Sequence, residues 1–427
     1  MNVLILGSGG REHAFAHQIA KSKLLSKLFI APGNAGTALC GINVNLSLSD
    51  FVAIRNCVIS LHINLVIVGP EDPLVNGIVD YFEQDVILKN IPIIGPSKNG
   101  AQLEGSKDFS KQFMKRHNIP TARYQTFTQT QLKEGIDFLK TLNPPYVLKA
   151  DGLAAGKGVI ISSSLDEAIT ELTEMLQNLK FGDASSSVVI EEFLDGIELS
   201  TFVLTDGNNY LILPEAKDYK RIGDGDTGLN TGGMGAVSPV PFADAAFMKK
   251  VEDQIVVTTV NGLKQEGIPY LGFLFIGLMN INGNPFVIEY NCRMGDPETE
   301  VVLPRIQNDF LEILLKASAG QLKDIELKID SQTAATIMLV SGGYPEEYKK
   351  GFAIEGLNNT FESNVYHAGT VKKDDIILSN GGRVLAITSL GNNLIEAFNN
   401  SYHTSKSITF EGKYQRNDLG KDLLKYL

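Results

Sequence analysis

Three alternating residues near position 290 are spaced for metal and phosphate chemistry. Within "PFVIEYNCRMGDPETE", residues 285–300, Glu289, Asn291 and Arg293 stand two apart. In an extended strand such residues share one face, while Ile288 and Tyr290 take the other. A carboxylate and an amide oxygen on one strand, with room left for phosphate oxygens and water, suit a Mg²⁺ ion. Arg293 continues that face and can steady a phosphoryl group in transfer, an effect worth about a thousandfold or more in rate. A solvated edge strand would carry the same residues, but here "GDPET" follows at once.

A second segment, "YVLKADGLAAGKGVIISS" (146–163), sets Gly152, Gly156, Lys157 and Gly158 between two apolar runs. It is a candidate phosphate-gripping loop of an uncommon kind. A Walker loop has four residues between its first Gly and Gly-Lys, then a Ser or Thr that reaches the metal. Here three intervene, Gly158 replaces the hydroxyl, and the residues that follow read as a strand rather than a helix. Any metal must be held elsewhere, which is where Glu289 and Asn291 enter.

Three more stretches could carry chemistry. "EEFLDGIELS" (191–200) taken alone is a strand ending in an ordinary Asp-Gly turn; the alternative is a nucleotide hinge, with the Phe193 and Leu194 backbone at a base edge and Glu198 accepting from ribose hydroxyls. "KDYKRIGDGDTGLNTGGMGAVSP" (217–239) has six glycines and no helical or strand period. A loop of that length inside a domain is usually functional. Its charges, Asp218, Lys220, Arg221, Asp224 and Asp226, suit a zwitterionic or amino-bearing substrate. At the amino end, "GSGGREHA" places Gly9 and Gly10 before a helix, where free N–H groups can meet an anion. Glu12 breaks the dinucleotide pattern, and Pro-Gly-Asn follows the second strand where an acidic ribose ligand would stand, so a phosphate fits better. His13 and His17 are four apart but lack the Glu of a zinc-binding helix, and they read as packed or surface histidines.

These side chains need a scaffold, and the apolar runs supply one. Over the first ~100 residues, four runs end in small polar loops: "GSGGRE", "PGNAGT", "GPEDPL" and "GPSKNG". Continuous Val/Ile/Leu runs with helix-length spacers read as a parallel sheet buried on both faces, with all four loops gathered at its carboxyl end. Residues 121–190 alternate strand, helix and strand around the glycine loop. The final ~100 residues read as short strands, with Asn380-Gly381-Gly382 as a hairpin turn and little that looks catalytic.

The 427-residue chain fits about three domains of ordinary size. Its net charge of −11 argues against nucleic-acid and acidic-membrane partners. No apolar run approaches the ~20 residues of a membrane span. Cys40, Cys57 and Cys292 are too few and scattered for a disulfide framework, so a reducing cytoplasm is expected.

Taken in order, "GSGGREHA", "PGNAGT", "GPEDPL", "GPSKNGAQLEGSK", "ADGLAAGKGV", "EEFLDGIELS", "KRIGDGDTGLNTGGMGA" and "IEYNCRMGDPET" resemble the phosphoribosylamine–glycine ligase family of the ATP-grasp superfamily. The resemblance covers residues 1 to about 300, and "SGGYP", "HAGT" and "GGRVLAITSLG" extend it into the tail. It implies an α/β chain: an ATP-grasp fold with an N-terminal parallel-sheet, Rossmann-like domain and a small β-rich C-terminal domain. The expected boundaries are 1–103 for the phosphoribosyl-binding domain, 104–120 with 191–325 for the ATP-grasp core, 121–190 for the flap and 326–427 for the last domain.

By the same resemblance the substrates are ATP, glycine and 5-phosphoribosylamine, joined through glycyl phosphate in the second step of purine synthesis. Lys107 and Lys149 are expected at the ATP phosphates, Glu191 with the Phe193–Leu194 backbone at adenine, and Glu198 at the ribose. Glu289 and Asn291 are expected to bind Mg²⁺ or Mn²⁺. Gly9, Gly10, Arg11, Pro70 and Glu71 would face the phosphoribosyl group. Asp218, Lys220, Arg293 and the loop Thr231, Gly232, Gly233 and Met234 would line the meeting place of glycine and the amine, with Arg293, Lys149, Asp218 and Lys220 catalytic. A monomer is expected.

Two departures stand out. Cys292-Arg293-Met294 replaces an expected Ala-Arg-Phe, a change read as one of packing volume. Tyr219 stands where His is expected, which matters only if that His moves a proton. The rival readings are another ATP-grasp ligase, such as a carboxylase subunit, and a regulatory nucleotide binder that has lost catalysis.

Overall fold

The computed structural model describes residues 1–154, 158–359 and 362–427. Strands β1 (Asn2–Gly7), β2 (Lys27–Pro32), β3 (Ile42–Asn43), β4 (Leu65–Val68) and β5 (Ile93–Pro96) pair in parallel in the order β5-β4-β1-β2-β3. Val3 and Ile5 enter one core while Leu4 and Leu6 enter the other, all fully buried. A strand buried on both faces has no polar side to show, which is why these runs do not alternate.

The next four strands, β6 (Tyr124–Thr128), β7 (Tyr146–Ala150), β8 (Val159–Ser162) and β9 (Ser187–Glu192), form a separate antiparallel sheet in the order β6-β9-β7-β8. The helix Leu165–Asn178 covers it, burying Ala168, Leu172, Met175 and Leu176 at helical spacing. Its start is fixed by Ser164, whose side chain accepts from the Glu167 N–H. The glycine loop joins β7 to β8, and these two strands pair directly.

The remaining strands are β10 (Ile197–Thr205), β11 (Tyr210–Asp218), β12 (Arg221–Gly223), β13 (Thr227–Asn230), β14 (Gly235–Ser238), β15 (Tyr270–Ile281), β16 (Asn284–Asn291), β17 (Thr333–Val340), β18 (Asn364–His367), β19 (Thr370–Lys373), β20 (Ile376–Ser379) and β21 (Arg383–Gly391). One long sheet runs β18-β21-β17-β14-β11-β10-β15 and continues through β5 into the parallel strands, with β16 added to β15. The join is narrow: Tyr270 pairs with Pro96 and Leu271 with Gly95. It sets the loops after β1 and β4 opposite β16, where the polar residues lie.

Two sequence expectations fail here for local reasons. The stretch 217–239 is not an irregular loop, because β12 and β13 pair as a short ribbon inside it. Asn380-Gly381-Gly382 does not close a hairpin, because β20 pairs with β19 while β21 pairs with β17 and β18. The tight turn is Asp374-Asp375, whose φ values of 48° and 64° match the mirror-image turn that suits paired strands.

His13 and His367 are buried together, with the His367 N–H donating to His13 Nδ1 at 2.7 Å. Burial lowers His17 and His367 to about 4 and His13 well below its usual value. A histidine held neutral in the fold contributes fully above its unfolded value of about 6.5, and the contribution is lost as pH falls toward the folded value. For His367 the full loss is about 3 kcal/mol. His367→Gln is therefore expected to lose less stability than the parent between pH 7 and pH 4.5, read by urea unfolding. Equal losses in the two proteins would contradict this. Among the described residues, no helix is long and apolar enough to cross a membrane.

Candidate active site

The polar face of β16 opens on a cavity of about 670 Å³. Glu289, Asn291 and Arg293 line it together. Ile288, expected on the far face, lines it too. Glu289 pairs with Gly277 and Val287 with Leu278, so Ile288 is the extra residue of a β-bulge and the alternation slips there. Tyr290 keeps its hydroxyl on the far side, 2.7 Å from Thr259 Oγ1 in the core. Burial pushes the Glu289 carboxyl up, but Lys220, Lys149, Lys107 and Arg293 outweigh it and hold the group below its usual range. A charged carboxylate beside an amide oxygen is a hard-oxygen pair that fits a divalent cation sharing phosphate ligands. Among the described residues no cluster of three His, Cys, Asp or Glu could hold a metal without such help.

Lysines come in from neighbouring elements, and Lys149 Nζ donates to the Ile288 carbonyl of β16 at 3.3 Å. Lys149 on β7 and Lys111 on the helix Lys107–Arg116 each pair with Glu191 of β9 at 3.0 Å. The Glu191 carboxylate is therefore occupied by two cations, and its burial is compensated by them. Lys107 begins the same helix, whose start is locked from the glycine loop: Asp151 accepts from the Asp108 N–H at 2.7 Å and from Ser106 Oγ at 2.9 Å. Among the described residues, Lys107 has no ion-pair partner within 4.0 Å. Burial lowers its ammonium, with Glu289 opposing. Gly158 lines the cavity, and Gly152 packs on Ala184, where an added Cβ would sit 3.0 Å from a Cα. Gly156 and Lys157 lie outside the described residues.

Arg293 is held rather than free, with Glu104 at 2.7 Å and Glu71 at 3.2 Å. Arg11, at the first turn after β1, donates to the Met294 carbonyl at 3.1 Å. Pro70 and Glu71 line the same wall, while Gly9 and Gly10 lie behind Arg11 and do not. Of the four gathered loops, only those after β1 and β4 reach the cavity. "PGNAGT" is consumed internally: the Asn34 amide donates to the Ser8 carbonyl at 2.8 Å and the His367 carbonyl at 2.7 Å. In "GPSKNG", Ser97 Oγ donates to the Pro269 carbonyl at 2.9 Å, fastening the sheet join.

Asp218 and Lys220 line the cavity, and Lys220 pairs with Glu198, which itself stands outside it. Phe193 and Leu194 also stand outside. Asp224 and Asp226 leave the site altogether. Arg416, buried in the tail, pairs with Asp226 at 2.6 Å, and Asp224 accepts from the Asn417 N–H at 2.9 Å. Their charges anchor the β12–β13 ribbon instead of facing a substrate. Met234 is corrected too. Its side chain is in the core, its N–H donates to Tyr219 and its carbonyl accepts from Met338. Gly232 lines the cavity, while Thr231 and Gly233 shape the turn beside it, Thr231 Oγ1 accepting from the Gly233 N–H at 3.0 Å.

Sequence reasoning missed Arg383. From β21 its guanidinium reaches Asp296 Oδ1 at 2.9 Å and donates to the carbonyls of Asp296 and Gly232 at 2.7 and 2.5 Å. The tail thus completes the cavity wall. Only "GGR" at the start of an apolar strand hints at it, and that signal is common. Cys292 is also more than volume: its N–H and thiol donate to Glu104 at 2.8 and 3.2 Å.

Tyr219 faces away from the cavity. Its hydroxyl donates to Asp422 at 2.8 Å and accepts from the Gly420 N–H at 3.0 Å, and burial pushes it far up. It has no route to a reacting proton. Tyr219→Phe is expected to keep full activity and lose about 1–2 kcal/mol of stability. A large fall in turnover without unfolding would overturn this placement.

Comparison with known proteins gives the family. Family models described as phosphoribosylglycinamide synthetase N domain, ATP-grasp (A) domain and C domain match residues 1–104, 105–299 and 334–422. A phosphoribosylamine–glycine ligase of Vibrio vulnificus is 47% identical over 425 residues, 98% of each chain. One from Haemophilus influenzae is 46% identical over the same share. The crystal structure of the Thermotoga maritima phosphoribosylamine–glycine ligase superposes with a TM-score of 0.85 at 37% identity, over 98% of this chain and 100% of that one. A biotin carboxylase domain from Hydrogenobacter thermophilus shares the fold, with a TM-score of 0.73 at 16% identity over 97% and 91% of the two chains. The chain belongs to the phosphoribosylglycinamide synthetase family.

Proposed function

We propose that the chain is an ATP-dependent ligase that joins glycine to 5-phosphoribosylamine and releases ADP and phosphate. The observation that carries this reading is one cavity with the Glu289–Asn291 pair on one wall and the unpaired Lys107 on another, and with Arg11 and Glu71 at its N-terminal end.

The glycine carboxylate attacks the γ-phosphorus of ATP, giving glycyl phosphate and ADP. The amine of phosphoribosylamine then attacks the acyl carbon and phosphate leaves. Phosphate is a good leaving group, so no protein nucleophile is required. Lys107 and Lys149 neutralise phosphate charge, and Arg293, braced by Glu71 and Glu104, sits preorganised at the transfer point. Preorganised charges of this kind usually lower a reaction barrier more than any other single effect. A divalent cation, Mg²⁺ or Mn²⁺, would be held by Glu289 and Asn291 with phosphate oxygens and would offset their charge. The β7–β8 loop would cover the triphosphate and exclude water that would hydrolyse the acyl phosphate.

On this reading Glu198 and the Phe193–Leu194 backbone meet the nucleoside beside the cavity, and the phosphoribosyl group lies against Arg11, Pro70 and Glu71. The boundaries 1–103, 104–120 with 191–325, 121–190 and 326–427 describe its domains. Three free cysteines suit a reducing cytoplasm, and a monomer belongs to the same reading. The test is ADP release with Mg-ATP, glycine and phosphoribosylamine generated in place. ADP formation that needs both acceptors supports the ligase, whereas turnover indifferent to glycine points to a different ATP-grasp acceptor.

A further inference from the structure

Two carboxylates on the cavity wall have no ion-pair partner, and their placement bears on the proton released when the amide forms. The other acids are tied: Glu71 and Glu104 to Arg293, Glu191 to Lys111 and Lys149, Asp296 to Arg383. Glu289 is assigned to the metal, and Asp72 is exposed at the rim. Among the described residues, Asp218 at the end of β11 and Glu298 in the turn after β16 make no ion pair within 4.0 Å. Glu298 is only 4% exposed, and its carboxyl lies over Gly295, where an added Cβ would meet its Oε1 at 3.0 Å.

The two acids act on each other, yet their other neighbours differ. Asp218 lies beside Lys220, toward Glu289. Glu298 shares its turn with Asp296, whose Oδ2 accepts from the Arg11 N–H at 3.3 Å. Glu298 is therefore on the side from which the phosphoribosyl group presents its amine. Resting on the ligase reading, we propose that Glu298 accepts the proton from the attacking amine while Asp218 holds the ammonium of glycine.

The step balances without a further reactant. The amine lone pair forms the C–N bond at the glycyl carbonyl carbon. The bond from that carbon to the phosphate oxygen breaks, and its electron pair leaves with phosphate. One N–H proton passes to a Glu298 oxygen and is later released to solvent. The groups facing Glu298 are Asp218, Lys220, Arg293, Glu300 and Arg383. Burial and Asp218 lift its carboxyl to about 8, against Lys220 and Arg293. That matches a proton acceptor working near neutral pH better than an ordinary carboxylate does. A glycine ammonium against Asp218 offsets its repulsion and eases ionisation of Glu298.

The test is Glu298→Gln in the full chain, with Mg-ATP, glycine and phosphoribosylamine all present. Gln keeps the shape and replaces a largely protonated carboxyl, so the urea midpoint should hold. Amide formation is expected to fall about a hundred- to ten-thousandfold. Glycine-dependent ADP release continues, with an unchanged KM for glycine, so the ratio of ADP to amide rises above one. Added hydroxylamine traps the stranded acyl phosphate as hydroxamate. In the parent the amide-forming rate climbs toward pH 8, and in the variant that limb is missing. If ADP and amide fall together with a raised KM for glycine, Glu298 is the ammonium site and the proposal is wrong. Unchanged amide formation also overturns it. Failure of the ligase reading is separate, because the parent itself would then make no ADP dependent on both acceptors.

Discussion

A Lys107→Met variant is expected to lose activity about a hundred- to a thousandfold, the size typical for removing one preorganised charge-stabilising donor. It should nevertheless unfold at the same or a higher temperature. Both halves follow from its position. Its ammonium is half-buried, burial and Lys149 lower its pKa, and among the described residues it has no ion-pair partner. An unpaired, half-buried cation whose desolvation outweighs the pull of Glu289 costs stability that a methionine would recover. Natural chains accept such strain where it serves a site. Thermal unfolding and kcat measured on the same preparation give the two halves. Normal turnover, or a clear loss of stability, would contradict the placement.

Glu289→Gln has the larger expected effect on turnover, about a thousandfold, because several kcal/mol of charge stabilisation go with the metal. It should leave the fold intact, since the side chain faces the cavity and makes no ion pair there. The distinguishing readout is metal dependence. The concentration of Mg²⁺ or Mn²⁺ for half-maximal rate should rise at least about tenfold. ATP without metal should bind as well or better, because the variant removes a negative charge among Lys220, Lys149, Lys107 and Arg293. A slow variant with unchanged metal dependence would move the metal elsewhere.

The parts of the site legible in the sequence are those whose signal is local. The period-2 spacing of Glu289 and Asn291 put both on the cavity face, Arg293 reaches the same cavity from the bend after β16, and both-face burial of β1 followed from its unbroken apolar run. The bulge at Ile288 was not legible, since nothing in "VIEYN" marks an inserted residue. Charges were misread wherever their partners lie far along the chain. Asp224 and Asp226 looked like substrate contacts, but Asn417 and Arg416 claim them from about 190 residues away. The same distance hid Arg383, which reaches Gly232 across 151 positions. Short motifs report the ownership of a charge poorly.

The most direct test of glycine activation in this cavity follows an oxygen atom. With glycine labelled with ¹⁸O in its carboxylate, the acyl phosphate route carries one labelled oxygen into inorganic phosphate per amide formed and leaves the other in the amide. Phosphate bearing that single ¹⁸O, in step with ADP release, is the predicted result. Unlabelled phosphate alongside ADP would mean that the glycine carboxylate never attacks ATP, and the reading of this cavity as a glycine-activating site would be wrong.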